Sequence, residues 1–239
     1  MAAPRSAGLR TLPGVNVLSS TPTVIFGGTF DPVHFGHLRA AWEAREALGE
    51  CDFRFVPAGT PPHRGHHVTD SEHRLHMLKL AVPDACGFVV DPRELERAGP
   101  SYMVDTLAEL RAELGTTPLV LLLGQDSANT LDSWHRWREL PELAHLVVMS
   151  RAGDIRRYSP PVEKLLAGRQ AGSPAELHAR PNGRFWSVQV SSLAISSSRI
   201  RQLIAAGQAP RFLLPDAVLA YIERHDLYRD TAPGPENGY

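Results

Sequence analysis

The stretch TVIFGGTFDPVHFGH, Thr23 to His37, sets the fold of this chain. Its first four residues are apolar or β-branched, the pattern of a short strand buried on both faces. Gly27 and Gly28 follow at once, and glycine lets the backbone turn its amides toward a ligand at close range. Thr29 adds a hydroxyl, and the chain then enters a helix near Phe35, whose N-terminus carries about half a positive charge. His34 and His37 stand three apart and share a face at that terminus. Strand, glycine turn, helix start and paired histidines together make an anion site. Gly-Gly and Asp-Pro are also ordinary turn punctuation. With Asp31 as a third ligand the histidines would suit a metal, but two histidines at this spacing are a weak metal signal, and no metal is assigned to protein ligands.

Outward from this stretch, short apolar runs recur at Phe53 to Ala58, Gly87 to Val90, Leu119 to Leu123, His145 to Met149 and Phe185 to Val190. Between them, Leu38 to Leu48, Ser71 to Leu80, Val104 to Leu114 and Ser196 to Ala206 have helical spacing. The alternation predicts an α/β fold, a parallel sheet covered by helices. Ligands of such sheets bind beyond the carboxyl ends of the strands, where the strand order reverses. Residues 151–184 break the alternation, being rich in Pro, Gly, Arg and Ala around one helical piece near Val162 to Ala167, and read as a loop-rich insertion. Residues 1–22 hold Arg5 and Arg10 and no acid, a faint echo of a transit peptide, but Pro4, Pro13 and Gly14 interrupt them. They and residues 230–239 are expected to be disordered, leaving one folded unit over 23–229.

The chain has 239 residues, a net charge of −1 and two cysteines, Cys51 and Cys86. That length buries roughly 70 to 75% of the unfolded surface, enough for a core without disulfides. Two cysteines point to a reducing compartment, so the cytoplasm is expected. The near-zero charge argues against nucleic acid as a partner, and no apolar run approaches the roughly 20 residues of a membrane span. A homo-oligomer is left open.

Farther along, Ser196 in ISSSRIR suits a helix N-cap, and Ile200, Leu203 and Ile204 give the helix an apolar stripe. Ser197 and Arg201 lie four apart, so a hydroxyl and a guanidinium share a face beside free amides, a second grip for phosphate. The PPHR turn carries Arg64. GQDS places Gly124 and Asp126 at the edge of the most apolar strand, where Asp126 can accept ribose hydroxyls or cap a helix. Trp134 offers a flat face for an aromatic ring. His66, His67, His73 and His76 lack the ligand spacing of a zinc site; His73 and His76 read as decoration of a helix face.

The ordered set GGTFDPVHFGHL, VPAGTPPHR, EHRLHMLKLA, GPSYMVDTL, LGQDSANTLDSWHRW, ISSSRIR and LLPDAVLAYIERHDLY resembles the nucleotidylyltransferase superfamily with its H-x-G-H motif. Within it, the resemblance is to bacterial nicotinate-nucleotide adenylyltransferases, from Val24 to Arg229 outside residues 151–184. The likeness implies a Rossmann-like doubly wound sheet with helices on both faces and a small C-terminal helical part. It implies adenylyl transfer from ATP, brought with Mg2+, to nicotinate mononucleotide. On its motifs, Gly27, Gly28, Thr29, Phe30, His34, His37, Ile195, Ser196, Ser197, Ser198 and Arg201 hold ATP, with His34, His37 and Arg201 catalytic. Arg64, Met103, Gly124, Asp126, Trp134 and the amide of His135 hold the mononucleotide. Met103 departs from the family, which commonly has threonine there, and the acid-versus-amide preference turns on whether that residue works through its amide or a hydroxyl. A pantetheine-phosphate type transferase, or a non-catalytic nucleotide sensor on the same scaffold, is the alternative.

Overall fold

The computed structural model describes residues 21–59, 68–83 and 86–229. In chain order its elements are β1 (Thr23–Gly28), α1 (Phe35–Leu48), β2 (Asp52–Pro57), α2 (Ser71–Ala81), β3 (Phe88–Val90), α3 (Arg93–Glu96), α4 (Met103–Leu114) and β4 (Leu119–Gly124). They continue as α5 (Gln125–Asn129), α6 (Leu140–Leu143), β5 (His145–Ser150), α7 (Pro160–Leu166), α8 (Pro174–His178), β6 (Phe185–Gln189), α9 (Ser197–Ala205) and α10 (Asp216–Arg224). Two 3-10 turns, Leu131–Ser133 and Trp137–Glu139, lie between α5 and α6.

All six strands pair in parallel in the order β3-β2-β1-β4-β5-β6. Side chains alternate between the sheet faces, as a strand's period of two requires. Val24, Phe26, Phe53, Phe55, Val120, Leu122 and Val147 join one core with residues of α1, α2, α9 and α10. Ile25, Val56, Leu121, Leu123, Leu146 and Val148 join a second core with residues of α4, α6 and α7. A sheet covered on both faces needs its central strands apolar at nearly every position, as in β1, β4 and β5, which is why those runs were the clearest in the sequence. Helix α1 buries Gly36, Ala40, Ala41, Ala44 and Leu48, and small residues at most of these positions let its backbone lie close to the sheet. Gly49, at φ 81°, ends it and returns its amide to the Arg45 carbonyl.

Residues 151–184 supply the crossover from β5 to β6. They hold α8 besides the expected helical piece, and Val162, Leu166 and Leu177 lie buried in the cores. In this parallel order the chain runs from β1 to one edge and then from β4 to the other, so the switch point lies between the ends of β1 and β4.

Candidate active site at the switch point

At the end of β1 the chain is tightly packed. A Cβ on Gly27 would meet Met103 Cε at 2.5 Å, and one on Gly28 would meet the Phe30 ring at 2.8 Å. Phe30 takes φ 49° and buries its ring 5.2 Å from that of His37. The loop therefore exposes backbone on one side and anchors itself by an aromatic side chain on the other. His34 is the N-cap of α1, and its ring stacks on His37 at 3.8 Å between centroids. Among the described residues the Nδ1 atoms of both are buried without a hydrogen-bond partner.

Burial, then the positive charge of Arg151, lowers the His34 pKa to about 4. His37 is held well below the ordinary imidazole value by burial, by His34 and by Arg151. Both rings are thus neutral at pH 7 without a ligand, and an anion arriving beside them offsets the burial.

The second grip meets the first. Ser196 caps α9 by accepting from the Arg199 amide at 3.2 Å. Ser197 Oγ donates to the Pro32 carbonyl at 2.9 Å, and Arg201 Nη1 donates to the Asp31 carbonyl at 2.6 Å. Ser198 Oγ lies 3.5 Å from Arg201 Nη2. A Cβ on Gly36 would lie 3.4 Å from the Ile195 carbonyl oxygen, so α1 and the ISSSRIR turn touch. Glu43 of α1 fixes the approach to that turn by accepting from the Ser191 amide at 2.5 Å and its hydroxyl at 2.7 Å. The two stretches read as phosphate grips, brought together across 165 and 170 residues of sequence by these two bonds, border one candidate cleft. Arg199 is exposed.

On the side of β4, Gly124 is the N-cap of α5, and a Cβ there would meet open space. The sequence allowed Asp126 as a cap, but it lies in the first turn of α5 instead, exposed, because α5 begins at Gln125 directly after β4 and takes Gly124 as its cap. Met103 is the first residue of α4 after the N-cap Tyr102, so its amide belongs to the donors that a helix N-terminus leaves without an intrahelical acceptor. Its thioether end packs against Gly27. Trp134 is half-buried and packs at the margin of the second core, while His135 is exposed with its ring 4.2 Å from that of Tyr102. Arg136 forms ion pairs with Asp105 and Glu139, and Arg138 lies over the Trp137 ring at 4.4 Å. Both have surface roles. Arg64, His66 and His67 lie outside the described residues.

The histidines of α2 are engaged by other protein groups. His73 Nδ1 meets the Tyr221 hydroxyl at 2.9 Å and His76 Nδ1 meets the Glu72 carbonyl at 2.9 Å. No group of three or more metal-ligating side chains is assembled among the described residues. The Asp31 carboxylate, a candidate third ligand in the sequence, accepts from Tyr228 Oη at 2.7 Å and from the Thr69 amide at 3.2 Å.

Three residues that act on the site or support it escaped the sequence reading. Arg151, just beyond β5, acts on both histidines through its charge. Tyr228 reaches Asp31 from the end of the described chain. Arg74 is buried beneath the loop, and its signal was present: it shares the inner face of α2 with Met77 and Leu78 at helical spacing.

A paired-histidine helix start and a capped second helix, converging at the switch point of a parallel sheet, define a nucleotide-binding α/β protein of the nucleotidylyltransferase class. The chain matches the cytidylyltransferase-like family profile over residues 25–203. It is 48% identical over 205 residues to a probable nicotinate-nucleotide adenylyltransferase of Methylococcus capsulatus, covering 85% of this chain and 98% of that one. It is 50% identical over 208 residues to a protein of the same description from Aeromonas hydrophila, covering 87% and 97%. In fold it is similar to the Plasmodium falciparum nicotinic acid mononucleotide adenylyltransferase complexed with NaAD. That likeness has a TM-score of 0.65 at 16% identity and covers 87% of this chain and 97% of that one. The chain belongs to the cytidylyltransferase-like family and, within it, to the nicotinate-nucleotide adenylyltransferases.

Proposed function

We propose that this protein transfers the adenylyl group of ATP to nicotinate mononucleotide, giving nicotinate adenine dinucleotide and pyrophosphate, a step of NAD biosynthesis. The observation that supports the reading is that the loop leading into the stacked His34–His37 pair is bonded through its Asp31 and Pro32 carbonyls to Arg201 and Ser197. An oxygen of the mononucleotide 5′-phosphate attacks the α-phosphorus in line. The bond from that phosphorus to the bridging oxygen breaks, and pyrophosphate leaves with the electron pair. No general base is needed, because a phosphate monoester with a second pKa of about 6 is already mostly a dianion at pH 7.

Catalysis is then positioning and neutralisation of charge. The amides from Gly28 to Phe30 line the α-phosphate, Ser196 to Ser198 present the N-terminus of α9, and His34, His37, Arg201 and Arg151 offset charge on the bridging and leaving oxygens. Mg2+ enters with ATP as part of the substrate, held by the phosphates. On the other side, Gly124 and Asp126 hold the ribose, Trp134 stacks on the pyridine ring, and the amides of Met103 and His135 meet its carboxylate. Since an amide is what residue 103 offers there, its change from threonine leaves the preference for the acid intact.

The test is pyrophosphate release with ATP and Mg2+, supplying nicotinate, nicotinamide or pantetheine phosphate in turn as the acceptor, the first two as mononucleotides. Nicotinate mononucleotide should be favoured, and His37→Ala should lower turnover by about 10² or more, as loss of one charge-stabilising donor does. Equal or reversed rates for the two mononucleotides would overturn the substrate assignment. Turnover near wild type in the variant would remove His37 from the catalytic set. No helix among the described residues is long and apolar enough to cross a membrane.

A further inference from the structure

Arg74 sits in the middle of α2, a helix that contributes no group to the cleft described above, yet it is only 1% exposed. Its guanidinium spans three separate pieces of main chain. Nε donates to the Thr69 carbonyl at 2.9 Å, Nη1 to the Thr29 carbonyl at 2.9 Å and Nη2 to the Gly59 carbonyl at 3.0 Å. Burying a cation is costly unless it is paired and hydrogen-bonded. A guanidinium is a rigid planar fork, so acceptors bound to it are fixed in direction and in mutual separation. A lysine has neither the plane nor the fork.

The three acceptors lie where the fold needs such a fixture. Thr29 belongs to the glycine loop at the end of β1. Gly59 follows β2, the strand paired with β1, and the Ala58 amide donates to the Gly28 carbonyl at 2.9 Å. Thr69 precedes α2 and is held from a second direction by Asp31 of the same glycine loop. The fork therefore ties the β1 loop to the main chain on both sides of the PPHR stretch in sequence.

The Thr29 bond has a stereochemical consequence. A trans peptide is planar, with its carbonyl and the following amide pointing in opposite directions. With the Thr29 oxygen drawn inward to Arg74, the Phe30 N–H is turned to the opposite side of the loop. Phe30 has φ 49° and a buried ring, so the residue is held on its side-chain end as well. Without the guanidinium, nothing else among the hydrogen bonds described holds the Thr29 oxygen.

We infer that Arg74 is a positioning residue for adenylyl transfer: by capturing the Thr29 carbonyl it aims the Phe30 amide at the α-phosphate, and through Gly59 and Thr69 it keeps that amide in register with the chain that flanks the second substrate. The inference rests on the adenylyl-transfer reading. It assigns to a residue outside the cleft the orientation of a donor inside it.

Two measurements test it. In the first, Arg74→Lys and Arg74→Ala are compared with wild type for turnover, for the KM of each substrate and for melting temperature. The expected result is a fall in kcat of about 10², with the KM for ATP changed by less than about fivefold. Guanidinium ion at millimolar concentration should restore part of the turnover of Arg74→Ala and none of that of Arg74→Lys. A lowered melting temperature with kcat within about threefold of wild type would make Arg74 a staple of the fold and overturn the proposal.

The second measurement needs no variant and stands even if both fail to fold. In isotope-labelled wild-type protein, the Phe30 amide resonance should move downfield when α,β-methylene-ATP binds, the mark of a new hydrogen bond to an anion. A Phe30 amide that does not respond while other cleft resonances do would overturn the proposal. If wild type releases no pyrophosphate with any mononucleotide, the adenylyl-transfer reading fails separately, and the Phe30 response still reports whether that amide faces a bound nucleotide.

Discussion

His34 and His37 show how burial sets a charge state. In the free protein both are pushed toward neutrality, His34 to about 4 and His37 in the same direction. Their unfolded counterparts titrate near 6.5. Between those values the unfolded chain binds more protons than the folded one, so stability is complete above pH 6.5 and is lost as pH falls toward 4. The slope is about 1.4 kcal/mol per pH unit for each group fully in this window. His34→Gln should flatten the loss of unfolding free energy between pH 6.5 and 4.5, measured by urea denaturation without nucleotide. A slope unchanged from wild type would mean that His34 is protonated in the folded protein. The motif chemistry of these residues was legible because it is local: a turn, a helix start and two rings three residues apart. The charge state was not, because it comes from packing and from Arg151, 114 residues beyond His37 in sequence.

Among the elements, the six strands and the four helices expected from periodicity matched it to within about three residues at each end, while α10, nine residues long like α9, was not among them. Short helices behaved differently. α3, α5, α6 and α8 have four or five residues each, too few for a repeat of 3.6 to appear, and their positions depend on what they pack against. The displaced cap of α5 is one result. Element ends also carry constraints that sequence hides. A Cβ on Gly59 would collide with the main-chain oxygen of Glu94 and lie 2.5 Å from Ser101 Oγ. Glu94 cannot yield easily, because its buried carboxylate accepts from Thr106 at 2.7 Å and burial raises its pKa. Gly59→Ala should therefore destabilise the protein by about 1 to 3 kcal/mol, the usual cost of overpacking, read as a shift in denaturation midpoint at unchanged slope. A variant as stable as wild type would show that the junction of β2 with α3 yields to one methyl group.

At the scale of the whole molecule, the last described segment returns to the first loop. Tyr228 donates to Asp31 across 197 residues of sequence, and burial raises its phenol pKa. Removing the hydroxyl leaves a carboxylate oxygen short of a donor in a buried place, at a cost of about 1 to 3 kcal/mol. Tyr228→Phe is expected to lose that much in chemical denaturation and to raise the KM for ATP, since Asp31 also carries the carbonyl that Arg201 holds. Unaltered stability and an unaltered KM together would show that the contact is incidental.

The sequence by itself determined the parallel sheet, because central strands buried on both faces must be largely apolar, and it offered both candidate phosphate grips, whose chemistry is complete within a few neighbouring residues. Only the tertiary structure decided that these turns meet, that a guanidinium in α2 holds the carbonyl behind the loop, and that the histidines rest uncharged. Each of those depends on groups brought together from distant parts of the chain. Local pattern records which side chains a segment offers; the company they keep is settled by packing.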